Sequence, residues 1–260
     1  METLLADAPR RAYESLAPDY DLYTADYGYD GWLATIDRLA RRHGLAGRRL
    51  LDVACGTGRS FAPMRALGYE VTGCDVSPAM LERARGFGAA ELVVADMREL
   101  PPLGRFELVT CLGDSVNYLA DEGELRACFA GMRGNLAARG LLVFDVNTLL
   151  TYRTAFAGQA VTERDGRVFL WRGGSARDAP AGELNRADLD VFSSEDGTAW
   201  SRRTSTHVQR HFPREQVDRA LRAAGLEPRA VYGQTTGGEL HDDADESLHT
   251  KLLFVAAAPA

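Results

Sequence analysis

The residues with the clearest chemistry lie at 50–58, Leu-Leu-Asp-Val-Ala-Cys-Gly-Thr-Gly, where an apolar strand pattern runs straight into a glycine turn. Gly56 and Gly58 carry no Cβ, so the chain can take positive φ there and leave room for a bulky ligand above the strand end. A second strand pattern at 71–75, Val-Thr-Gly-Cys-Asp, ends in a carboxylate. Asp75 follows Asp52 by 23 residues, close to the roughly 20-residue offset at which a ribose-binding acid follows such a turn. A carboxylate there suits both hydroxyls of a ribose. Turn and acid together predict a nucleoside-bearing cofactor at the carboxyl ends of parallel strands.

The turn is not a dinucleotide fingerprint, because Arg59-Ser60-Phe61-Ala62-Pro63 follows Gly58 with no third glycine in place, and no Gly-Lys-Ser/Thr phosphate loop occurs. Asp-x-Ala-Cys-Gly-Thr-Gly resembles instead the first motif of the class I S-adenosylmethionine-dependent methyltransferases, with Ala54 where that family usually has glycine. The resemblance implies S-adenosyl-L-methionine as cofactor. It implies that Asp52 orients the turn and the cofactor's amino group, and that Ala54, Cys55, Gly56 and Gly58 form the cradle. Asp75 would hold the ribose, Val76 would lie against the adenine, Asp96 would accept from its 6-amino group and Met97 would cover the ring. Met80, Cys111 and Leu112 belong to the same implied pocket. For Asp96 a cap on the following turn is the alternative. Ala-x-x-Tyr-Asp at 17–21 and Tyr-x-x-Trp at 29–32 are similar to the amino-terminal segment of small-molecule methyltransferases, which implies that Tyr20 closes over the methionine half with Trp32 beside it.

At 111–115 the chain reads Cys-Leu-Gly-Asp-Ser, with Tyr118-Leu119 beyond. This segment is similar to the equivalent one of glycine N-methyltransferases and aminosugar N-methyltransferases. The Asn/Asp-Pro-Pro-Tyr/Phe motif of many nucleic-acid and protein amino-group methyltransferases is absent, as is a Pro-Cys nucleophile. A small-molecule acceptor follows, with an amine nitrogen preferred over an oxygen. Methyl transfer from a sulfonium mainly needs alignment and exclusion of water. Tyr20, Asp114 and His207 are the catalytic candidates, with Tyr118 and His211 as further bases should one be needed. Asp114, Asn117, Tyr118, Asn147, Tyr152, His207 and His211 are the candidate acceptor-binding residues. An O-methyltransferase, a non-methylating enzyme on the same fold, and a non-catalytic cofactor-binding regulator remain the rival readings.

These residues need a scaffold, and the periodicity supplies one. Near-continuous apolar runs at 49–53, 70–74, 90–95, 106–112 and 141–146 predict strands covered on both faces, alternating with helices. The fold class is therefore α/β: a Rossmann-like, mostly parallel sheet. Resemblance at the carboxyl end adds an antiparallel last strand, giving seven. Between 158 and 212 the pattern alternates instead, with Asp165-Gly166 and Asp196-Gly197 as turns, which predicts an inserted antiparallel sheet. Its alternation puts Ser205, His207, Gln209 and His211 on one face, toward solvent, a dimer partner or substrate. The arginines of this insertion admit an anionic substrate, or simply a solvated surface. The expected organisation is a helical lid over 1–47, a core over 48–157 and 213–260, and the insertion over 158–212.

At 260 residues and 45% hydrophobic the chain can bury a full core. With 30 Lys+Arg against 37 Asp+Glu it offers nucleic acid or an anionic membrane no bulk attraction. The four cysteines have no CxxC spacing and are expected to be reduced and without metal. No apolar run spans a bilayer, so a cytoplasmic enzyme without membrane or nucleic-acid partners, and with a homodimer open, is the expectation.

Overall fold

Strands rich in Val, Leu and Phe with no polar face must be covered on both sides, and the computed structural model, which describes residues 7–88, 91–194 and 196–259, shows how. The main sheet is built from β1 (Arg49–Val53), β2 (Glu70–Asp75), β3 (Glu91–Val94), β4 (Phe106–Cys111) and β5 (Leu136–Asn147), all parallel. The second sheet follows as β6 (Gln159–Arg164), β7 (Arg167–Gly173), β8 (Leu184–Ser193) and β9 (Ser201–Arg210), antiparallel throughout. The chain then returns to the main sheet with β10 (Glu227–Gln234), the two-residue β11 (Leu240–His241) and β12 (Lys251–Ala257). The main sheet has the order β11-β10-β12-β5-β4-β1-β2-β3. β12 lies antiparallel between β5 and β10, as expected. The expected seven strands are there, and β11 adds a short eighth at the edge.

Strand order reverses between β1 and β4, the place where open α/β sheets bind ligands beyond their carboxyl ends. The turn residues and the acid after β2 stand there. One apolar cluster, with Phe129, Phe144, Leu221 and Phe254, covers one face of the sheet. Another, with Ile36, Phe61, Leu108 and Val255, covers the other. Local chemistry sets the helix ends near the site. Ser77 caps the helix Pro78–Ala84 by accepting from Met80 N at 3.3 Å, with Pro78 in its first turn. The β6–β7 hairpin turns through Asp165 and Gly166 at φ 44° and 70°, the left-handed pair that matches strand twist.

The second sheet is not free-standing. Leu16 of the amino-terminal helix Ala8–Leu16, together with Tyr20, Leu22 and Tyr23, packs on Phe169, Leu189 and Val191. Polar bonds reinforce this docking. Arg164 reaches Leu22 O and Asp26, while Arg167 and Arg203 share the carboxylate of Asp19. Arg172 and Arg202 grip Asp190, Arg186 pairs with Asp188, and Arg210 donates to Ala120 O. Seven of the insertion's arginines are thus hydrogen-bonded within the protein itself.

Candidate active site

The turn after β1 needs left-handed backbone at three residues. Ala54, Gly56 and Gly58 have φ of 57°, 56° and 76°. At Gly58 a Cβ would also strike the Phe61 ring at 2.6 Å, so that glycine serves packing. Gly56 is different: a Cβ there would meet only Tyr20 Cε1, at 4.0 Å. The Tyr20 ring therefore stands across the cradle that Gly56 leaves open. Thr57 donates to Asp21 Oδ1 at 2.5 Å and Arg59 to Thr24 O at 2.8 Å, fastening the turn to the segment that carries Tyr20. Neither residue was singled out from sequence.

Beneath the turn Asp52 is buried and accepts from Ser60 Oγ at 2.5 Å and Thr110 Oγ1 at 2.7 Å. Burial raises its carboxyl against the pull of those two bonds. Asp75 accepts from Gly56 N at 2.9 Å and Ser77 N at 2.8 Å, one bond per oxygen, and burial pushes it up to about 6 despite them. Each oxygen keeps a lone pair for a ligand hydroxyl. A cavity alongside is lined by Ala54, Val76, Asp96, Met97 and Tyr118. Asp96 caps the short turn Met97–Glu99 and is forked by Arg98; burial resists its charge, but the guanidinium holds it below the usual carboxylate range. The turn-cap alternative is therefore present, on a carboxylate that also borders the cavity.

Beyond β4, Gly113 and Asp114 take φ of 75° and 54°, and their N–H groups donate to the two oxygens of Asp145 at 2.7 and 2.8 Å. Lys251 donates to Asp114 at 2.6 Å and Asp145 at 2.9 Å. Burial opposes its charge, yet the two carboxylates outweigh that and raise its pKa. Gln209 donates to the other oxygen of Asp114 at 2.6 Å and accepts from Asn147 Nδ2 at 2.9 Å. Asn117 joins the same network, accepting from Asn147 N at 2.8 Å and donating to Arg210 O at 2.9 Å. Tyr152 donates to Arg210 O at 3.2 Å. The candidate acceptor residues from β4, β5 and the insertion are thus one connected group.

His207 lies at its aromatic end. The Tyr118 hydroxyl is 2.7 Å from His207 Nδ1, Tyr13 donates to Tyr118 at 3.1 Å, and Ser205 Oγ is 3.1 Å from His207 Nε2. Burial depresses the imidazole to about 4. The face of β9 carrying Ser205, His207 and Gln209 is buried rather than turned to solvent, as is His211 just beyond the strand. His211 is set apart from the hydroxyls, accepting from Gly182 N at 3.1 Å and lying 3.1 Å from Glu246. Met80 and Cys111 are wholly buried, Cys111 within the apolar cluster of Phe129. Trp32, Cys55 and Leu112 pack partly buried against the opposite cluster. Tyr13, Ser205, Gln209 and Lys251 were missed as site residues. Tyr13 stands seven residues from Tyr20, two helical turns, and that spacing was the available signal.

Comparison with known proteins agrees with this geometry. The methyltransferase domain family matches residues 50–140. The dTDP-3-amino-3,6-dideoxy-alpha-D-glucopyranose N,N-dimethyltransferase of Streptomyces fradiae is 29% identical over 230 residues, spanning 85% of this chain and 88% of its own. Streptomyces venezuelae DesVI superposes with a TM-score of 0.74 at 27% identity, over 94% of this chain and 98% of that one. The sugar N-methyltransferase KedS8 from Streptoalloteichus sp. does so with a TM-score of 0.74 at 28% identity, over 93% of each chain. The chain is an S-adenosylmethionine-dependent methyltransferase, and its sheet is that of the class I enzymes it resembles. The methyltransferase takes S-adenosylmethionine as cofactor, and its residues suit that group: Gly56 leaves the cradle clear, and Asp75 retains lone pairs for ribose hydroxyls. Among the described residues no cluster of His, Cys, Asp or Glu could hold a metal, and no helix is long and apolar enough to cross a membrane.

Proposed function

We propose that the methyltransferase methylates an amine nitrogen of a small molecule, an aminosugar by class, with the acceptor held between Tyr13, Tyr20, Tyr118 and Asp114. One observation carries the choice of nitrogen. The two groups best placed to remove a proton are unsuited to it: His207 is depressed to about 4, and Asp114 has its oxygens on Lys251 and Gln209. A hydroxyl acceptor would need a strong base, whereas a neutral amine already carries its lone pair. Bound S-adenosylmethionine would supply a methyl on a cationic sulfur; the nitrogen lone pair would form the C–N bond as the C–S electrons return to sulfur, and the surplus proton on nitrogen would leave to solvent. The chain's own work is alignment and exclusion of water, which the docked segment 8–23 and the buried face of β9 can perform together. On this reading Gly56 and Asp75 bind the cofactor, Val76, Asp96 and Met97 border its adenine, and Asp114, Asn117 and Asn147 shape the acceptor mouth. That the Streptomyces fradiae relative is an aminosugar N,N-dimethyltransferase supports an aminosugar.

The test is transfer of a labelled methyl group from S-adenosylmethionine to dTDP-3-amino-3,6-dideoxy-alpha-D-glucopyranose and to its 3-hydroxy counterpart. Label on nitrogen, and none on the hydroxy sugar, is the expected outcome. Label on oxygen, or no transfer to amines while the cofactor binds, would overturn it.

A further inference from the structure

Four side chains from three separate elements form a single file of hydrogen bonds: Tyr13 from the amino-terminal helix, Tyr118 from the turn after β4, and His207 and Ser205 from β9. Such a file has a direction, and its buried end sets it. Ser205 has one proton, and its Oγ lies 3.4 Å from Leu189 O, a carbonyl that can only accept. With that proton donated to the carbonyl, Ser205 Oγ receives the Nε2–H of His207. Nδ1 of a neutral imidazole is then bare. Tyr118 must donate to it, which leaves the Tyr118 oxygen to accept from Tyr13. The Tyr13 oxygen, at the half-buried end of the file, is left with lone pairs only.

We propose that His207 and Ser205 are positioning residues that fix the direction of the Tyr118–Tyr13 hydroxyl file, so that Tyr13 meets the acceptor as a hydrogen-bond acceptor. An N–H of the incoming amine donates to it, and the nitrogen lone pair is turned away from Tyr13. Were the file reversed, Tyr13 would donate and would hold that lone pair itself, competing with the methyl group. The direction is protected by its surroundings. Tyr13, Tyr118 and Trp171 enclose the imidazole, with ring centroids 5.7, 6.1 and 5.7 Å away. Burial keeps it uncharged, and Asp188, the acid that favours its charge, is the weaker influence. The Tyr13 ring lies edge-on to Tyr20 at 6.1 Å, and Tyr20 stands across Gly56, so the open end of the file is at the cofactor cradle. The last step of this inference rests on the amine reading above; the direction of the file does not.

The experiment has two arms so that the two can fail separately. Nitrogen-15 NMR of the histidine rings, with His207 assigned by its loss in His207→Gln, reads the tautomer of the S-adenosylhomocysteine-bound protein without any acceptor. The expected result is a neutral ring protonated on Nε2 from pH 6 to 9; a proton on Nδ1, or an imidazolium, overturns the proposal. In the second arm, with dTDP-3-amino-3,6-dideoxy-alpha-D-glucopyranose as acceptor, Ser205→Ala should lower kcat about tenfold or more through misalignment. KM for S-adenosylmethionine should be unchanged, and Ser205→Thr should restore kcat. An unaltered kcat in a folded Ser205→Ala protein, or a loss that threonine does not repair, also overturns it. No transfer to any amine would sink the functional reading while the tautomer still decides the direction.

Discussion

Arg167 Nε lies 3.1 Å from Asp19 Oδ1, joining the second sheet to the segment that carries Tyr20. Arg203 holds the other oxygen of the same carboxylate, which is only 5% exposed. This bond and the packing of Leu16, Tyr20 and Tyr23 on Phe169, Leu189 and Val191 make the segment and the sheet one body over the site. Asp19→Ala leaves two guanidiniums without their shared partner. The variant should lose about 1–3 kcal/mol of stability, the range for breaking a charged hydrogen-bonded group. Urea denaturation measures this, and hydrogen exchange should rise selectively over residues 8–23. Unchanged protection there would mean that packing alone holds the segment. Removing residues 1–32 is a poorer probe, because it would bare the apolar patch on the second sheet and cut into the helix Tyr29–Arg42.

Ala54 and Gly56 make a contrasting pair, since both have left-handed backbone but only one is glycine. Ala54→Gly should raise the melting temperature slightly. Relief of about 1–2 kcal/mol of left-handed strain is partly offset by about 0.4–1 kcal/mol of unfolded-chain entropy. Gly56→Val should lower stability by about 1–3 kcal/mol, because a β-branched residue is strained at φ 56° even though a Cβ there would meet only Tyr20, and it should abolish S-adenosylhomocysteine binding by filling the cradle. Calorimetry that finds normal affinity in the valine variant would put the ligand elsewhere.

How much of this was legible in the sequence depended on whether the signal was local. The glycine turn and Asp75 are backbone chemistry within one strand-turn unit, and the fold places them together as their spacing requires. Strands with apolar residues on both faces declared themselves for the same reason. β5 begins at Leu136 rather than 141, because 137–140 reads Ala-Ala-Arg-Gly. Pairing with β4 is kept only through a register shift, with Arg139 at φ 60°. The two residues of β11 have no apolar pattern to show. Partners distant in sequence were harder. Alternation along β9 put His207 and Gln209 on one face, but only the arrival of Tyr118 and Asp114 from β4 makes that face interior. Only the fold brings Asp19 to Arg167 and Arg203.

His207 gives the protein a pH-dependent stability of definite sign. Its folded value, about 4, lies below the ordinary 6.5, so between those values the unfolded chain binds more protons than the folded one. This contribution is therefore intact above pH 6.5 and is lost as pH falls toward 4, to a limit of about 3 kcal/mol. Comparing denaturation of the wild type and His207→Gln at pH 7.5 and 5 isolates it. The wild type should lose more stability on acidification than the variant; equal losses would show that the imidazole is not buried uncharged.

Asp75 should govern cofactor affinity, and it should do so with its own pH signature. Both oxygens already accept backbone N–H groups, so two ribose hydroxyls would complete the carboxylate. Asp75→Ala is expected to weaken S-adenosylhomocysteine binding by about 1.5–3 kcal/mol, the worth of hydrogen bonds to a charged acceptor. Burial has raised the free protein's carboxyl to about 6. Hydroxyl donors favour its charged form, so binding must lower that value, and affinity should fall as pH drops below about 6 by up to tenfold per unit. Stability runs the other way: an acid raised above 3.8 on folding binds the proton better in the folded state, so the free protein gains from this group as pH falls from 6 toward 3.8. Titration calorimetry from pH 5 to 8 on wild type and Asp75→Ala separates the effects. Affinity that is flat across that range in the wild type would remove Asp75 from the ribose site.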